Sequence, residues 1–132
     1  MRMSFAFLVV FISSLLIAAG PAPGDEALSV EQMEFCAAVN DRVPVGSAST
    51  FPSDISRVYC FTRITGATDT LTVAHVWYYG DRELARVDLD VKSASWRTWS
   101  SKKMDSGWKG AWRVDVVYGD TTVVASKGFI LE

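Results

Sequence analysis

An all-β fold is predicted by three features of this sequence. Apolar residues recur at every second position in several short runs, turn signals separate those runs at near-regular spacing, and the core region carries no convincing helical period. With 132 residues, 49% of them hydrophobic, the chain can build one domain but not two. A single sandwich or small barrel of six to eight antiparallel strands is the expected architecture.

The N-terminus is set apart from that domain. Arg2 precedes an apolar run from Phe5 to Ala19, interrupted only by Ser13 and Ser14, which is the layout of a secretory signal. Cleavage is expected after Gly24, with Ala22 three places before the cut, so residues 1–24 read as a signal peptide. An uncleaved anchor is the alternative, because Met3 to Gly20 just reaches membrane-spanning length. Residues 25–30 read as a linker and 31–132 as the domain, exported to the periplasm or cell envelope.

The strands follow in order. Met33, Phe35, Ala37 and Val39 alternate with Glu34, Cys36, Ala38 and Asn40, which favours a strand over a helix from Val30 to Val39. Asn40 to Ser56 holds Pro44, Gly46, Pro52 and several serines, and reads as a long loop anchored by Phe51. Arg57 to Thr65 is a strand ending at Gly66, and Leu71, Val73, His75, Trp77 and Tyr79 share one face of the next. After a turn at Gly80 and Asp81, Ala85, Val87, Leu89 and Val91 alternate with Arg86, Asp88, Asp90 and Lys92, a half-buried strand that no helix would fit. Trp96 to Ser101 is a further strand, Asp105 to Gly110 a turn, and Trp112, Val114 and Val116 line another strand. A last strand or strand pair runs through Val123, Val124, Phe129 and Leu131. This count and spacing favour an immunoglobulin-like sandwich, although Trp77 follows both cysteines instead of lying between them.

Cys36 and Cys60 are the only cysteines, and an even count behind an export segment predicts a disulfide worth roughly 3.5 kcal/mol. Two buried thiols on neighbouring strands are the alternative. From about Met33 onward the chain resembles a bacterial family known only as domain of unknown function 2914. The likeness rests on Val58-Tyr59-Cys60-Phe61-Thr62, His75-Val76-Trp77, Trp96-Arg97-Thr98-Trp99-Ser100, Gly110-Ala111-Trp112-Arg113-Val114 and Phe129. It implies a β-sandwich attached to exported or membrane-bound bacterial proteins, with no established activity. Val43 departs from the acidic residue that the family pattern puts before Pro44, which weakens any idea of a ligand- or metal-binding carboxylate in that loop.

Charge excludes some functions. Removing residues 1–24 takes away Arg2 and leaves twelve basic against fifteen acidic residues, a net charge of −3. Nucleic acid and anionic membrane surfaces are not expected partners, since both need a basic protein face, and contact with a membrane is expected only through an uncleaved N-terminal segment. His75 is the only histidine, and a metal site would need several histidine or thiolate ligands, so neither a metal nor any other cofactor is expected. A hydrolytic triad of Ser100, His75 and Asp88 can be drawn on paper, but no nucleophile elbow supports it. The expected role of His75 is structural, bridging Trp77 to a polar group such as Arg97 or Ser100.

Trp96, Trp99 and Trp108 sit among Arg97, Lys102, Lys103 and Lys109, whereas Trp77 and Trp112 fall in alternating apolar runs and read as core. Rings mixed with cations could form a platform for sugars or peptides, with His75, Trp96, Arg97, Trp99, Ser100 and Trp108 as candidate binding residues. Alternatively, the basic stems cover the rings and protect the core. A non-enzymatic binding or accessory module is therefore expected, with an acidic glycan or an envelope protein as partner. A structural domain docking by sheet edge or sheet face is the rival.

Overall fold

The computed structural model describes residues 28–132, and the expected signal segment lies outside them. Ten strands and no helix occur among the described residues. Seven are long: β1 (Ser29–Cys36), β5 (Arg57–Thr65), β6 (Leu71–Tyr79), β7 (Arg82–Val91), β8 (Ser95–Lys103), β9 (Gly110–Tyr118) and β10 (Thr122–Leu131). Three are short: β2 (Ala38–Asn40), β3 (Val43–Val45) and β4 (Thr50–Phe51). The first strand begins at Ser29, inside the expected linker, because Ser29 and Val30 pair with Thr65 and Ile64.

One sheet has the order β1-β5-β8 and the other β4-β10-β9-β6-β7, with β2 and β3 forming a separate hairpin. All pairings are antiparallel except that of β4 with β10. Three strands thus face a sheet whose centre is β6-β9-β10, the strand arrangement of an immunoglobulin-like sandwich in which β6 takes the place of strand C. Trp77 on β6 is wholly buried, as that position demands. Its partner strand β9 offers Val114 and Val116 to the core where the immunoglobulin pattern has a cysteine.

The interior follows directly from the two-residue period. Phe35, Phe51, Trp77, Trp112 and Phe129 gather in one cluster, with Phe35 and Phe129 centroids 4.6 Å apart and the Trp112 and Phe129 rings stacked at 5.9 Å. Such ring pairs contribute about 0.5–1.5 kcal/mol each beyond the area they bury. A second cluster of Ile64, Ala67, Val73, Val91 and Val116 fills the other end of the sandwich.

The expected loop from Asn40 to Ser56 holds more structure than its composition suggests. Asp41 and Arg42 both have positive φ, 50° and 60°, which makes them the centre of a type I′ turn joining β2 to β3. Phe51 does anchor this region, 4% exposed, from the short strand β4. The hairpin lies over the outer face of the three-stranded sheet, where Phe61 is buried and stacks on Trp99 with centroids 6.1 Å apart.

Candidate functional site

The titratable and hydroxyl groups singled out in the sequence divide between the interior and the surface. Inside, β6 carries His75 and Trp77 across the sandwich to β5 and β8. His75 Nδ1 lies 2.7 Å from Ser100 Oγ, and Nε2 lies 3.1 Å from Thr62 Oγ1. Trp77 Nε1 donates to Ser100 Oγ at 3.1 Å, and Thr62 Oγ1 donates to the Thr98 carbonyl at 2.9 Å.

These contacts admit one consistent assignment of protons. The Thr62 hydroxyl spends its hydrogen on Thr98, so it must accept from His75 Nε2–H. Nδ1 is then bare and accepts the Ser100 hydroxyl hydrogen, while Ser100 Oγ accepts from the indole. Every member of the chain is satisfied. Burial pushes the His75 pKa down to about 4, so the ring is neutral at physiological pH.

That arrangement is structural. Ser100 is 6% exposed and His75 is 0% exposed. Asp88 stands opposite Ala74 on β7, one register position from the Val87 that faces His75, and so projects to the other side of the sheet. The paper triad is therefore not assembled. Of the two polar partners expected for His75, Ser100 is the one that bonds it, and Arg97 lies on the opposite face of β8.

Outside, Arg97 stands directly across from Arg63 on β5. A bulge at Glu31 brings Gln32 of β1 into line with Arg63. Arg97 donates through Nη1 to the Arg42 carbonyl at 3.1 Å, and the Arg42 guanidinium sits 5.1 Å from the Trp96 ring centroid. Together with Ser93 and Ser95 these residues line a polar groove of about 510 Å³. Trp99, half-buried, lies farther along the same face, over Phe61.

Trp108 belongs to neither group. It sits in the turn after β8, where its amide donates to the Asp105 carbonyl at 3.0 Å, and it packs edge-on to Tyr79 at 5.1 Å. With Leu84, Met104, Trp112, Lys102 and Lys103 it lines a second hollow of about 490 Å³. The groove starts near Arg97 and this cleft near Lys103, about 20 Å apart along β8 at strand rise. The six candidate binding residues thus form no single surface: two are interior, three flank the arginine face, and one lies in the distant cleft.

The expected disulfide is not formed, and both thiols are free and buried. Cys60 is paired with Phe35, and Cys36 with Tyr59. A one-position offset puts the two side chains on opposite faces of the sheet, Cys60 in the core and Cys36 beneath the β2–β3 hairpin. Burial pushes both thiols upward in pKa, which keeps them protonated and unreactive. Unfolded in iodoacetamide without reductant, the chain is expected to take up two alkyl groups by mass spectrometry; a chain that takes up none holds the bond.

Arg42, Arg63 and Gln32 were not singled out by the sequence. Arg63 reads as one more polar residue on an alternating strand, and only the register shows that its neighbour across the sheet is another arginine. Among the described residues no group of three histidine, cysteine or acidic side chains is placed to hold a metal ion, and no helix is long and apolar enough to cross a membrane.

No curated protein sequence matches the chain. Of the stretches that carry the family resemblance, Val58 to Thr62 precedes the matched segment and the others fall inside it. Residues 71–130, from the start of β6 almost to the end of β10, match the model of the family described as protein of unknown function (DUF2914).

Proposed function

We propose that this chain is an exported, non-enzymatic binding module of the bacterial cell envelope that meets its partner through the outer surface of the sandwich. The observation that carries the reading is the division of its polar groups. Histidine and its serine, the pair able to do acid-base or nucleophilic work, are locked into a closed network, whereas arginines, lysines and half-buried tryptophans stand outside on rigid strands. Sites built on strands hold their geometry better than sites on loops. The apolar run behind Arg2 supports export.

The rival docking by strand addition is disfavoured by the free edge of the larger sheet. That edge is β7, which presents Arg82, Glu83, Arg86, Asp88 and Asp90 to solvent, and charges of this kind protect an edge against pairing. The reading is tested by applying the purified full chain to an array of acidic and neutral envelope saccharides. Saturable retention without turnover is expected. Release of cleaved product would overturn the non-enzymatic assignment, and silence across the array would move the partner from glycan to protein.

A further inference from the structure

Resting on the binding-module reading, we infer that the groove between Arg42, Arg63 and Arg97 is a site for an acidic saccharide, gripped through its carboxylates. Three guanidinium groups border one hollow in a chain whose net charge is −2. The ion pairs among the described residues are Arg86–Asp88 and Arg113–Asp115, and neither involves these three. Like charges placed directly opposite on neighbouring strands weaken a sheet. Arg63 and Arg97 are placed so, and neither forms an ion pair among the described residues.

Arg42 adds an independent observation. It occupies the second central position of a type I′ turn at φ 60°, where glycine is the favoured residue and a long side chain is strained. That strained backbone directs its carbonyl to Arg97 and its guanidinium over Trp96, so all three cations are held at the same hollow. Arg63 spends only Nε, on Ser95 Oγ at 3.1 Å, and Arg97 spends one Nη, which leaves fork-shaped donor pairs of the kind that take a carboxylate bidentately.

The remaining lining decides the class of ligand. Gln32 Nε2 donates to the Glu34 carboxylate and the Ser93 hydroxyl to the Ser95 carbonyl, which leaves the Gln32 amide oxygen, the Ser93 lone pairs and the Ser95 hydroxyl hydrogen to meet ligand hydroxyl groups, and the volume of about 510 Å³ suits a short oligosaccharide segment. A hydroxyl-rich chain bearing carboxylates on successive units matches both kinds of group.

The test is calorimetric titration of the full chain with trigalacturonate, with its fully methyl-esterified form, and with sodium sulfate. Trigalacturonate is expected to bind, the ester not to, and sulfate to compete only at far higher concentration. The double variant Arg63→Gln, Arg97→Gln should lose at least tenfold in affinity, with folding checked by circular dichroism. A double variant Arg82→Gln, Arg86→Gln, which removes the same charge from the β7 edge, should bind as the parent does. Equal affinity in the two double variants, binding of the ester, sulfate competing at equal concentration, or no binding of trigalacturonate to the parent would each overturn the inference. Retention of some other ligand on the array would then leave the module reading standing, whereas turnover would remove that reading itself.

Discussion

Replacing Ser100 by alanine is expected to destabilise the domain by about 3 kcal/mol, lowering the melting temperature by roughly 15 °C for a domain of this size. The serine hydroxyl is shared by two buried partners. It donates to His75 Nδ1 at 2.7 Å and accepts from Trp77 Nε1 at 3.1 Å. Its loss leaves an indole donor and a ring nitrogen unpaired in the core, and each such group costs about 1–3 kcal/mol. Moving the histidine proton to Nδ1 gives no relief, because the deleted hydroxyl served that position and Thr62 would then have to abandon the Thr98 carbonyl. In a Trp77→Phe background one of the two orphans no longer exists. Ser100→Ala should therefore cost at least 1 kcal/mol less there than in the parent, a coupling that a double-mutant cycle in urea would read. Equal costs in both backgrounds would mean that the indole is not held by the serine.

The parts of this molecule that could be read from its sequence are those where one side chain in two meets the core. Arg57–Thr65 and Leu71–Tyr79 were legible to the residue, because Val58, Cys60 and Ile64 share one face of the first, Val73, His75 and Trp77 share one face of the second, and Gly66 and Gly80 mark their ends, even though Phe61, Ala74 and Val76 are buried on the opposite faces. The β2–β3 hairpin was not. Its strands are three residues long, too short to show a period, and Asp41-Arg42 replaces the glycine-bearing pair that normally marks such a turn. Register was equally hidden. An even cysteine count behind an export segment suggests a crosslink between Cys36 and Cys60, yet a one-residue offset in pairing puts them on opposite faces, and nothing in the count reveals that parity. The site divides in the same way. His75 lies two residues before Trp77, so its place in the core could be argued from the chain alone, whereas the meeting of Arg63 with Arg97 depends wholly on how β5 aligns with β8.

Acidification supplies the other large effect. His75 binds a proton near pH 6.5 when the chain is unfolded but only near pH 4 in the folded domain, since burial disfavours the imidazolium. Between those values the unfolded state holds more protons, so stability rises with pH and is lost as pH falls. The contribution is fully present above about pH 6.5, drains away through the window down to about pH 4, and amounts to about 3 kcal/mol at about 1.4 kcal/mol per unit. Roughly 2 kcal/mol of this should disappear between pH 6.5 and 5, a range in which ordinary carboxylates remain largely charged. Glutamine at this position can accept from Ser100 through its carbonyl and donate to Thr62 through its amide, yet it cannot take a proton. Urea unfolding of His75→Gln should therefore show a nearly flat stability across pH 6.5 to 5, whatever its absolute level, while the parent declines. A parent with no slope in that window, or a variant with the same slope, would mean that the imidazole titrates as freely in the fold as out of it. The sealed chain from Trp77 to Thr98 would then be open to water, and with it the argument that this histidine is unavailable for chemistry.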